Sequence, residues 1–209
     1  MSCPARERQI KDPGPPAVAP VASHFSLACR AGVGYSYGFA TMKKKLIVRN
    51  AGFTDAEGIY ALIKAYPREL LPRPLSDIVQ NIDRFLVCEE KGAIVGTVAW
   101  SILPEIGHAS SPSVEIKSLA VKQSLRRHGV GSLLVTSAIE RIAVLKPAQI
   151  IVLTFTPPFF RKMGFHEVPK ASLMHKLYMG CINCAKYDSP FTCPEVAMAM
   201  DLRTPAAGS

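Results

Sequence analysis

The most constraining feature of this 209-residue chain is a β-branched run that leads through a basic, glycine-containing turn into an apolar helix pattern. The run covers residues 114–121, the turn reads Arg126-Arg-His-Gly-Val-Gly131, and apolar residues at helical spacing follow. In this order of elements several backbone N–H groups point at one spot, and the helix dipole adds positive charge there. The segment therefore predicts an anion-binding loop, with phosphate as its expected ligand.

The spacing of the glycines separates this loop from two common phosphate-binding loops. A dinucleotide-binding loop needs three glycines as G-x-G-x-x-G, and a P-loop needs Gly-Lys followed by Ser or Thr. The turn has Arg-x-x-Gly-x-Gly instead, and in this it resembles the pyrophosphate loop of the GNAT N-acetyltransferases. The resemblance implies that acetyl-CoA binds here as co-substrate. The residues so implicated are Arg126, Arg127, His128, Gly129, Val130, Gly131 and Ser132.

The composition is compatible with a domain that binds an anionic small molecule. Hydrophobic residues make up 48% of the chain, which excludes disorder throughout, and the formal net charge is +9. Coenzyme A carries several phosphate charges and suits a basic protein. No Lys/Arg-rich helix or aromatic and basic platform points to nucleic acid. No apolar run reaches the length that spans a membrane.

Residues 1–41 differ from the rest of the chain. Prolines punctuate the first half, and the Gly/Tyr/Ser-rich stretch 31–41 has neither a helical nor a strand period. We expect this extension to lack fixed structure, and we expect the acetyltransferase domain to cover residues 42–209. Six cysteines occur without a secretory signal before them. Reduced thiols and a cytoplasmic location are therefore expected.

After the extension the hydrophobic periods become regular. Thr54–Glu57 has capping-box spacing ahead of a helix, Lys91-Gly92 marks a hairpin turn, and a long helix is predicted over residues 129–145. Strand patterns at 149–154 and 195–202 complete the order β-α-α-β-β-β-α-β-α-β. This is the order of the GNAT fold. The resemblance implies an α/β (α+β) protein whose mixed, mostly antiparallel central sheet is flanked by helices.

Segments in three parts of the chain narrow the resemblance. Residues 68–79 with 83–90, the block 115–121, and the tail 175–184 with 193–202 are similar to the acetyltransferase domain of N-acetylglutamate synthase, in its short single-domain bacterial form. This implies transfer of the acetyl group of acetyl-CoA to the α-amino group of glutamate, the first step of arginine biosynthesis. Other acceptors stay open, such as glutamine, another small amine or a protein N-terminus. A non-catalytic acyl-CoA-binding regulator and a homodimeric state stay open as well.

The strand at 114–121 carries the residues for which the resemblance implies catalytic roles. Side chains alternate along a strand, so Glu115 and Lys117 share a face. Glu115 lies where many GNAT enzymes have a general base. The alternative is that Glu115 and Lys117 merely neutralise each other on the strand surface. The resemblance also implies that this strand parts from its neighbour and offers backbone N–H groups to the thioester carbonyl, along Leu119, Ala120 and Val121.

Phe160 departs from the family pattern. Many GNAT enzymes carry a tyrosine there that protonates the departing thiolate, and a phenylalanine cannot donate a proton. Tyr178 or a water molecule is the expected donor, or the thiolate leaves unassisted. Phe160 itself is expected to pack beside the pantetheine arm of acetyl-CoA.

Two cations are candidates for binding the carboxylates of the acceptor. Arg73 lies in a Leu-Pro-Arg-Pro loop that matches the substrate loop of the family. Arginine binds a carboxylate through two parallel hydrogen bonds. Lys117 is the second candidate. The alternative for Arg73 is an exposed loop arginine without a ligand.

The cysteine-containing tail offers a weak zinc signal. Cys181-x2-Cys184, with Cys193 and His175, supplies side-chain types that zinc accepts. A single CxxC without a second one is weak, however. Buried free thiols are favoured, and no metal is expected.

Overall fold

The structure is a computed structural model that describes residues 46–103, 112–182, 184 and 186–202. The N-terminal extension 1–41 lies outside the described residues. Its lack of fixed structure and the start of the domain at Met42 therefore stay predictions. None of the described helices is long and apolar enough to cross a membrane.

Seven strands in the described part of the chain form one sheet, in the order β1-β2-β3-β4-β5-β7-β6. They are β1 (Ile47–Asn50), β2 (Phe85–Glu90), β3 (Ala93–Leu103), β4 (Ser113–Val121), β5 (Gln149–Thr154), β6 (His166–Glu167) and β7 (Val196–Asp201). Neighbouring strands pair antiparallel, except that β4 and β5 pair parallel. The predicted mixed, mostly antiparallel sheet is confirmed.

Helices cover both faces of this sheet. They are α1 (Ala56–Lys64), α2 (Leu75–Gln80), α3 (Val130–Ala143), α4 (Pro157–Lys162) and α5 (Met174–Lys176), which continues as a π-helical turn over Leu177–Cys181. Helices α1 and α2 pack on one face through residues such as Ile59 and Ile78. Helices α3 and α4 pack on the other, through residues such as Leu134 and Phe160.

Strand β2 shows why the sequence requires helices on both sides. Leu86 and Cys88 belong to the core under α3, whereas Phe85 and Val87 pack with α1 and α2. Consecutive side chains of a strand point to opposite faces. A continuous apolar strand can therefore be buried only between two layers.

The start of α1 differs from the prediction. The capping box expected at Thr54–Glu57 is replaced by a contact two residues earlier, where Asp55 accepts a hydrogen bond from the backbone amide of Gly52 at 2.8 Å. Arg49 on β1 holds the same carboxylate with two hydrogen bonds, of 2.6 and 2.9 Å. This ion pair joins two elements, so local spacing could not reveal it.

The parallel pairing of β4 with β5 is confined to the first part of β4. Val114 pairs with Ile150 and Glu115 with Ile151, and the pairing ends there. The other edge of β4 stays paired with β3 as far as Val121. The two strands therefore diverge beyond Glu115. A cleft opens between them at the centre of the sheet.

Candidate active site

The turn before α3 has the backbone geometry of an anion-binding loop. Gly129 has φ 85° and Arg127 has φ 65°, both in the left-handed region. The first amides of a helix have no partner within it, and no described side chain caps the start of α3. These amides lie at the positive end of the helix dipole. They belong to Val130, Gly131 and Ser132.

The two glycines of this turn serve different purposes. A left-handed φ at Gly129 disfavours residues with a Cβ, and no described atom lies within 4 Å of the place where that Cβ would sit. The space in front of the turn is therefore open to a ligand. At Gly131 a Cβ would lie 3.5 Å from the ring of Phe159, in ordinary contact. The imidazole Nδ1 of His128 lies 2.9 Å from the carbonyl of Arg126.

Arg126 is held by the loop between α1 and α2. Its guanidinium donates to both carboxylate oxygens of Glu69, at 2.9 and 2.8 Å, and lies 4.5 Å from the ring centroid of Tyr66. The same Tyr66 hydroxyl accepts a hydrogen bond from the amide of Gln123 at 2.9 Å. Hydrogen bonding to Glu69 raises the pKa of Arg126. Main-chain amides, rather than this side chain, are therefore free to bind an anion.

The end of β4 presents backbone amides to the cleft. The amide of Lys122 donates to the carbonyl of Val95 on β3 at 2.8 Å. Backbone groups of successive residues point to opposite sides of an antiparallel strand. The amides of Leu119 and Val121 therefore point away from β3, into the cleft, while that of the buried Ala120 points to β3. The predicted donors Leu119 and Val121 thus lie where β5 has diverged.

A cavity of about 560 Å³ fills the cleft. It is bounded by β4, β5, the loop between α1 and α2, and the tail that follows α5. Six of the residues predicted for the site line it: Arg73, Glu115, Lys117, Leu119, Arg126 and Phe160. The structure thus brings together the predicted base, the two cations predicted to bind the acceptor's carboxylates, and the edge of the predicted acetyl-CoA loop.

Glu115 is buried in this cavity as half of an ion pair. Its Oε1 lies 2.7 Å from the ammonium of Lys176 on α5, and the two side chains are only 6% and 15% exposed. Its other oxygen accepts a long hydrogen bond of 3.4 Å from Ser101. The alternative in which Glu115 and Lys117 merely neutralise each other at the surface is not what the structure shows. Glu115 forms its ion pair with Lys176 instead.

Arg73 is largely buried rather than an exposed loop arginine. Its side chain is 13% exposed, it pairs with the carboxylate of Asp77 one turn along α2, and it lies 5.7 Å from the ring centroid of Phe85. These contacts fix the guanidinium at the wall of the cavity. A guanidinium has five N–H donors, so the pairing with Asp77 leaves some donors of Arg73 available to a ligand.

Lys117 is a cavity cation that no described residue pairs with. Its ammonium makes no hydrogen bond or ion pair with the described residues, although Glu115 and Asp77 attract it from a distance. Burial is the main cause that lowers the pKa of Lys117, and the positive charges of Arg73 and Lys176 lower it further. A bound carboxylate would oppose all of these effects.

The aromatic residues divide between the cavity wall and the surface. Phe160 is buried and makes edge-to-face contacts with Phe159 and Phe165, with ring centroids 5.0 and 5.5 Å away. Tyr178 is 61% exposed and does not line the cavity. The structure therefore does not bring this expected proton donor to the site. Tyr187 lines the cavity instead.

Three thiols line the tail side of the cavity. Cys181, Cys184 and Cys193 are free, and burial raises the pKa of Cys181 and Cys193. Among the described residues, no group of three Cys, His, Asp or Glu side chains is placed to hold a metal ion. Lys170 donates to the carbonyls of Pro190 and Cys193, which ties the tail to the body of the protein.

Four charged cavity residues were missed by the sequence analysis: Glu69, Asp77, Lys176 and Glu195. The last two, Lys176 and Glu195, lie in the tail, where only Tyr178, His175 and the cysteines were candidates for a role. Burial raises the pKa of Glu195, and Lys176 opposes that shift. The block around His175-Lys176 was part of the resemblance and was the available signal, but nothing in it showed that the tail folds back over β4.

Comparison with known proteins places this geometry in a family. Residues 81–167 match the model described as acetyltransferase (GNAT) domain. An uncharacterized N-acetyltransferase of Chlorobaculum tepidum is 33% identical over 157 residues, which cover 74% of this chain and 96% of the relative. An amino-acid acetyltransferase of Mycobacterium tuberculosis is 27% identical over 147 residues, covering 68% of this chain and 79% of the relative.

Solved structures share the fold. Rv2747 from Mycobacterium tuberculosis, crystallised with CoA and a second ligand, has a TM-score of 0.63 at 24% identity and covers 75% of this chain and 99% of its own. N-acetylglutamate synthase from Neisseria gonorrhoeae, complexed with CoA and N-acetyl-glutamate, has a TM-score of 0.62 at 20% identity. That match covers 78% of this chain and 36% of the synthase.

The chain therefore belongs to the GNAT acetyltransferase family. It is an N-acetyltransferase, and acetyl-CoA is its co-substrate.

Proposed function

We propose that this enzyme acetylates the α-amino group of an acidic amino acid, with glutamate as the acceptor, in the first step of arginine biosynthesis in the cytoplasm. The observation that supports this best is the pair of partly buried cations, Arg73 and Lys117, in the cavity beside the proposed acetyl-CoA loop. An ammonium that is partly desolvated and that no described side chain pairs with is suited to an anionic ligand. Relatives named amino-acid acetyltransferase agree with this choice.

The proposed reaction is a direct transfer in a ternary complex. The amides at the start of α3 hold the pyrophosphate, and Glu115 takes a proton from the acceptor's ammonium. The neutral amine attacks the thioester carbon, the C–N bond forms and the C–S bond breaks. The amides of Leu119 and Val121 stabilise the negative charge that develops on the carbonyl oxygen. Coenzyme A leaves as a thiolate while the nitrogen releases its second proton to water, and a water molecule returns a proton to the thiolate because Phe160 has none to donate.

Release of CoA thiol with each of the twenty amino acids tests the proposal. We expect the highest kcat/KM with glutamate, and lower values with glutamine, because a neutral side chain leaves Arg73 and Lys117 without their ligand. A short peptide with a free N-terminus and a reaction without acceptor serve as controls.

The other outcomes identify the alternatives. Preference for the peptide would favour a protein N-terminus as acceptor. Acetyl-CoA binding without release in the presence of any acceptor would favour an acyl-CoA-binding regulator. Equal rates with glutamate and glutamine would contradict selection of a side-chain carboxylate.

A further inference from the structure

The ion pair between Glu115 and Lys176 lies inside the ligand cavity, not behind it. Both residues line the cavity, their charged atoms are 2.7 Å apart, and both side chains are largely buried. A buried pair of this kind contributes little to stability, because desolvation of the two charges offsets their attraction. Its position therefore points to a ligand rather than to the stability of the fold.

The backbone around Lys176 makes room for its ammonium. Lys176 ends α5, and the π-helical turn Leu177–Cys181 follows directly. A Cβ on Gly180 would lie only 3.0 Å from the lysine Nζ, so the ammonium passes close over this glycine. Such π-helical turns are rare in proteins, and those that occur often lie at functional sites. The turn and the glycine together place the lysine against Glu115.

The surroundings of Lys176 combine both charge signs. Glu195 and Lys117 line the same cavity, close enough that the charge of Lys176 lowers the pKa of each. This part of the cavity therefore offers carboxylates to the ammonium of an acceptor. It also offers lysine side chains to a carboxylate that is attached next to that ammonium.

We propose that Glu115 and Lys176 together recognise the α-ammonium and α-carboxylate of the acceptor, so that Lys176 restricts the enzyme to free α-amino acids. This rests on the proposed function, since it takes an amino acid to be the acceptor. The two charges of an α-amino acid sit on one carbon, and they complement the adjacent charges of the pair. The α-ammonium binds Glu115, and the α-carboxylate binds Lys176. Arg73 and Lys117 then remain for the side-chain carboxylate.

The arrangement also explains which acceptors are rejected. In a peptide N-terminus or an α-amide, a neutral amide replaces the α-carboxylate. Such a group cannot neutralise Lys176, which is left buried without its anion once the acceptor's ammonium occupies Glu115. An unsatisfied buried charge is costly. Simple amines are rejected for the same reason.

Two amides of glutamate separate the roles of the cations. Isoglutamine carries its amide at the α-carboxyl and glutamine at the side chain, and the two are otherwise alike. We would measure kcat/KM for glutamate, isoglutamine and glutamine with the wild-type enzyme and with Lys176→Met. Lys162→Met, which removes an exposed lysine at the end of α4, is the matched control. Acetyl-CoA affinity by calorimetry reports on folding.

The wild type is expected to prefer glutamate over isoglutamine by roughly 10- to 150-fold, the range for one hydrogen-bonded charge. Lys176→Met should reduce this preference to about threefold or less, while its preference for glutamate over glutamine stays. Lys176→Arg, which keeps the charge, should retain part of the first preference. Gly180→Ala, which crowds the ammonium, should weaken it in the same direction. Lys162→Met should leave both ratios unchanged.

Three results would overturn the inference. One is wild-type enzyme that uses isoglutamine as well as glutamate. Another is a Lys176→Met variant that binds acetyl-CoA and keeps the wild-type preference for glutamate over isoglutamine. If Lys176→Met does not fold, the other two variants decide. The inference is contradicted if Gly180→Ala keeps the full preference for glutamate over isoglutamine while Lys176→Arg loses that preference. Wild-type enzyme that turns over none of the three acceptors overturns the proposed function itself, and this inference with it.

Discussion

The two ends of the cavity are built by different means. At the proposed acetyl-CoA end, where Arg126 lines the cavity, one contiguous segment, residues 126–132, supplies main-chain amides from a left-handed turn and a helix start. At the acceptor end, side chains come from three separate segments: the loop between α1 and α2, strand β4 and helix α5. The first end depends on backbone conformation. The second depends on the packing of distant elements.

One set of contacts joins the two ends. Glu69, which binds the guanidinium of Arg126, lies 57 residues before it and belongs to the same loop as Arg73. Tyr66 adds the hydrogen bond to the amide of Gln123. The loop that positions Arg73 is therefore fixed to the turn proposed to hold pyrophosphate. Substitutions at the proposed acetyl-CoA end, the backbone end, should alter acetyl-CoA binding. Substitutions at the acceptor end, the side-chain end, should alter use of the acceptor.

The largest effect is expected from Glu115→Gln. We predict that kcat falls by roughly 10²- to 10⁴-fold, the usual contribution of a general base, while the Kd of acetyl-CoA changes little. Steady-state kinetics and calorimetry measure the two. Glu140→Gln, an exposed carboxylate on α3, is the control that should keep full activity. A near-normal kcat in folded Glu115→Gln would remove Glu115 from the chemical step.

Gly129→Val tests the backbone end. A β-branched residue at a left-handed φ is strained by about 1–3 kcal/mol, and its side chain enters the open space in front of the turn. We predict that the Kd of acetyl-CoA rises at least about tenfold, by calorimetry. Gly92→Val is a matched control, because Gly92 also has a positive φ, 78°, but lies in the β2–β3 hairpin. It should cost stability and leave the affinity unchanged; equal Kd changes in both variants would contradict a ligand site at the turn.

Arg73→Ala tests the side-chain end. Loss of a charged hydrogen bond of about 1.5–3 kcal/mol should raise the KM of glutamate by roughly 10- to 150-fold, with little change for acetyl-CoA. Arg73→Lys should restore only part of this, since an ammonium lacks the planar fork. Arg84→Ala, a half-exposed arginine beside Asp83, is the control. If Arg73→Ala leaves the KM of both glutamate and glutamine unchanged, the assignment of an acidic acceptor loses its main support.

Lys117 predicts a pH dependence confined to the acceptor end. Its ammonium binds a carboxylate only while protonated, so affinity for glutamate is present below the pKa of Lys117 and lost as pH rises through it. Because burial, Arg73 and Lys176 lower that pKa, the loss should begin at a lower pH than for an ordinary lysine. Lys117→Arg should abolish this alkaline loss of affinity, since a guanidinium stays charged. An identical pH profile of KM in the two proteins would exclude Lys117 as the titrating group.

The smallest effect is expected from removal of residues 1–41. The prolines of this segment and its lack of a helical or strand period predict no fixed structure. A protein that starts at Met42 should have a melting temperature and kcat/KM close to those of the full chain. A lower melting temperature or a changed KM would show that the extension contacts the domain.

The fold class, and the prediction of an acetyl-CoA loop before α3, came from local sequence pattern and the resemblance. Strand and helix periods are properties of neighbouring residues, and so is the spacing of Gly129 and Gly131 between a strand and a helix. For this reason the predicted elements agree with the structure to within a few residues, whereas the short elements β6 and α5 were not predicted. The resemblance added Glu115, Arg73 and Lys117, and all three line one cavity.

Which charged side chains pair with one another depends on tertiary packing. Lys176 reaches Glu115 because the tail folds back over the point where β4 and β5 part, and Arg126 finds Glu69 because a loop lies across the turn. Tyr178, expected at the site, instead faces outward from the π-helical turn. Such contacts depend on how whole elements pack, and a shift of one residue along a helix turns a side chain by about 100°. Local pattern specifies each element, but it does not specify the rotation and register that bring two distant side chains within hydrogen-bonding distance.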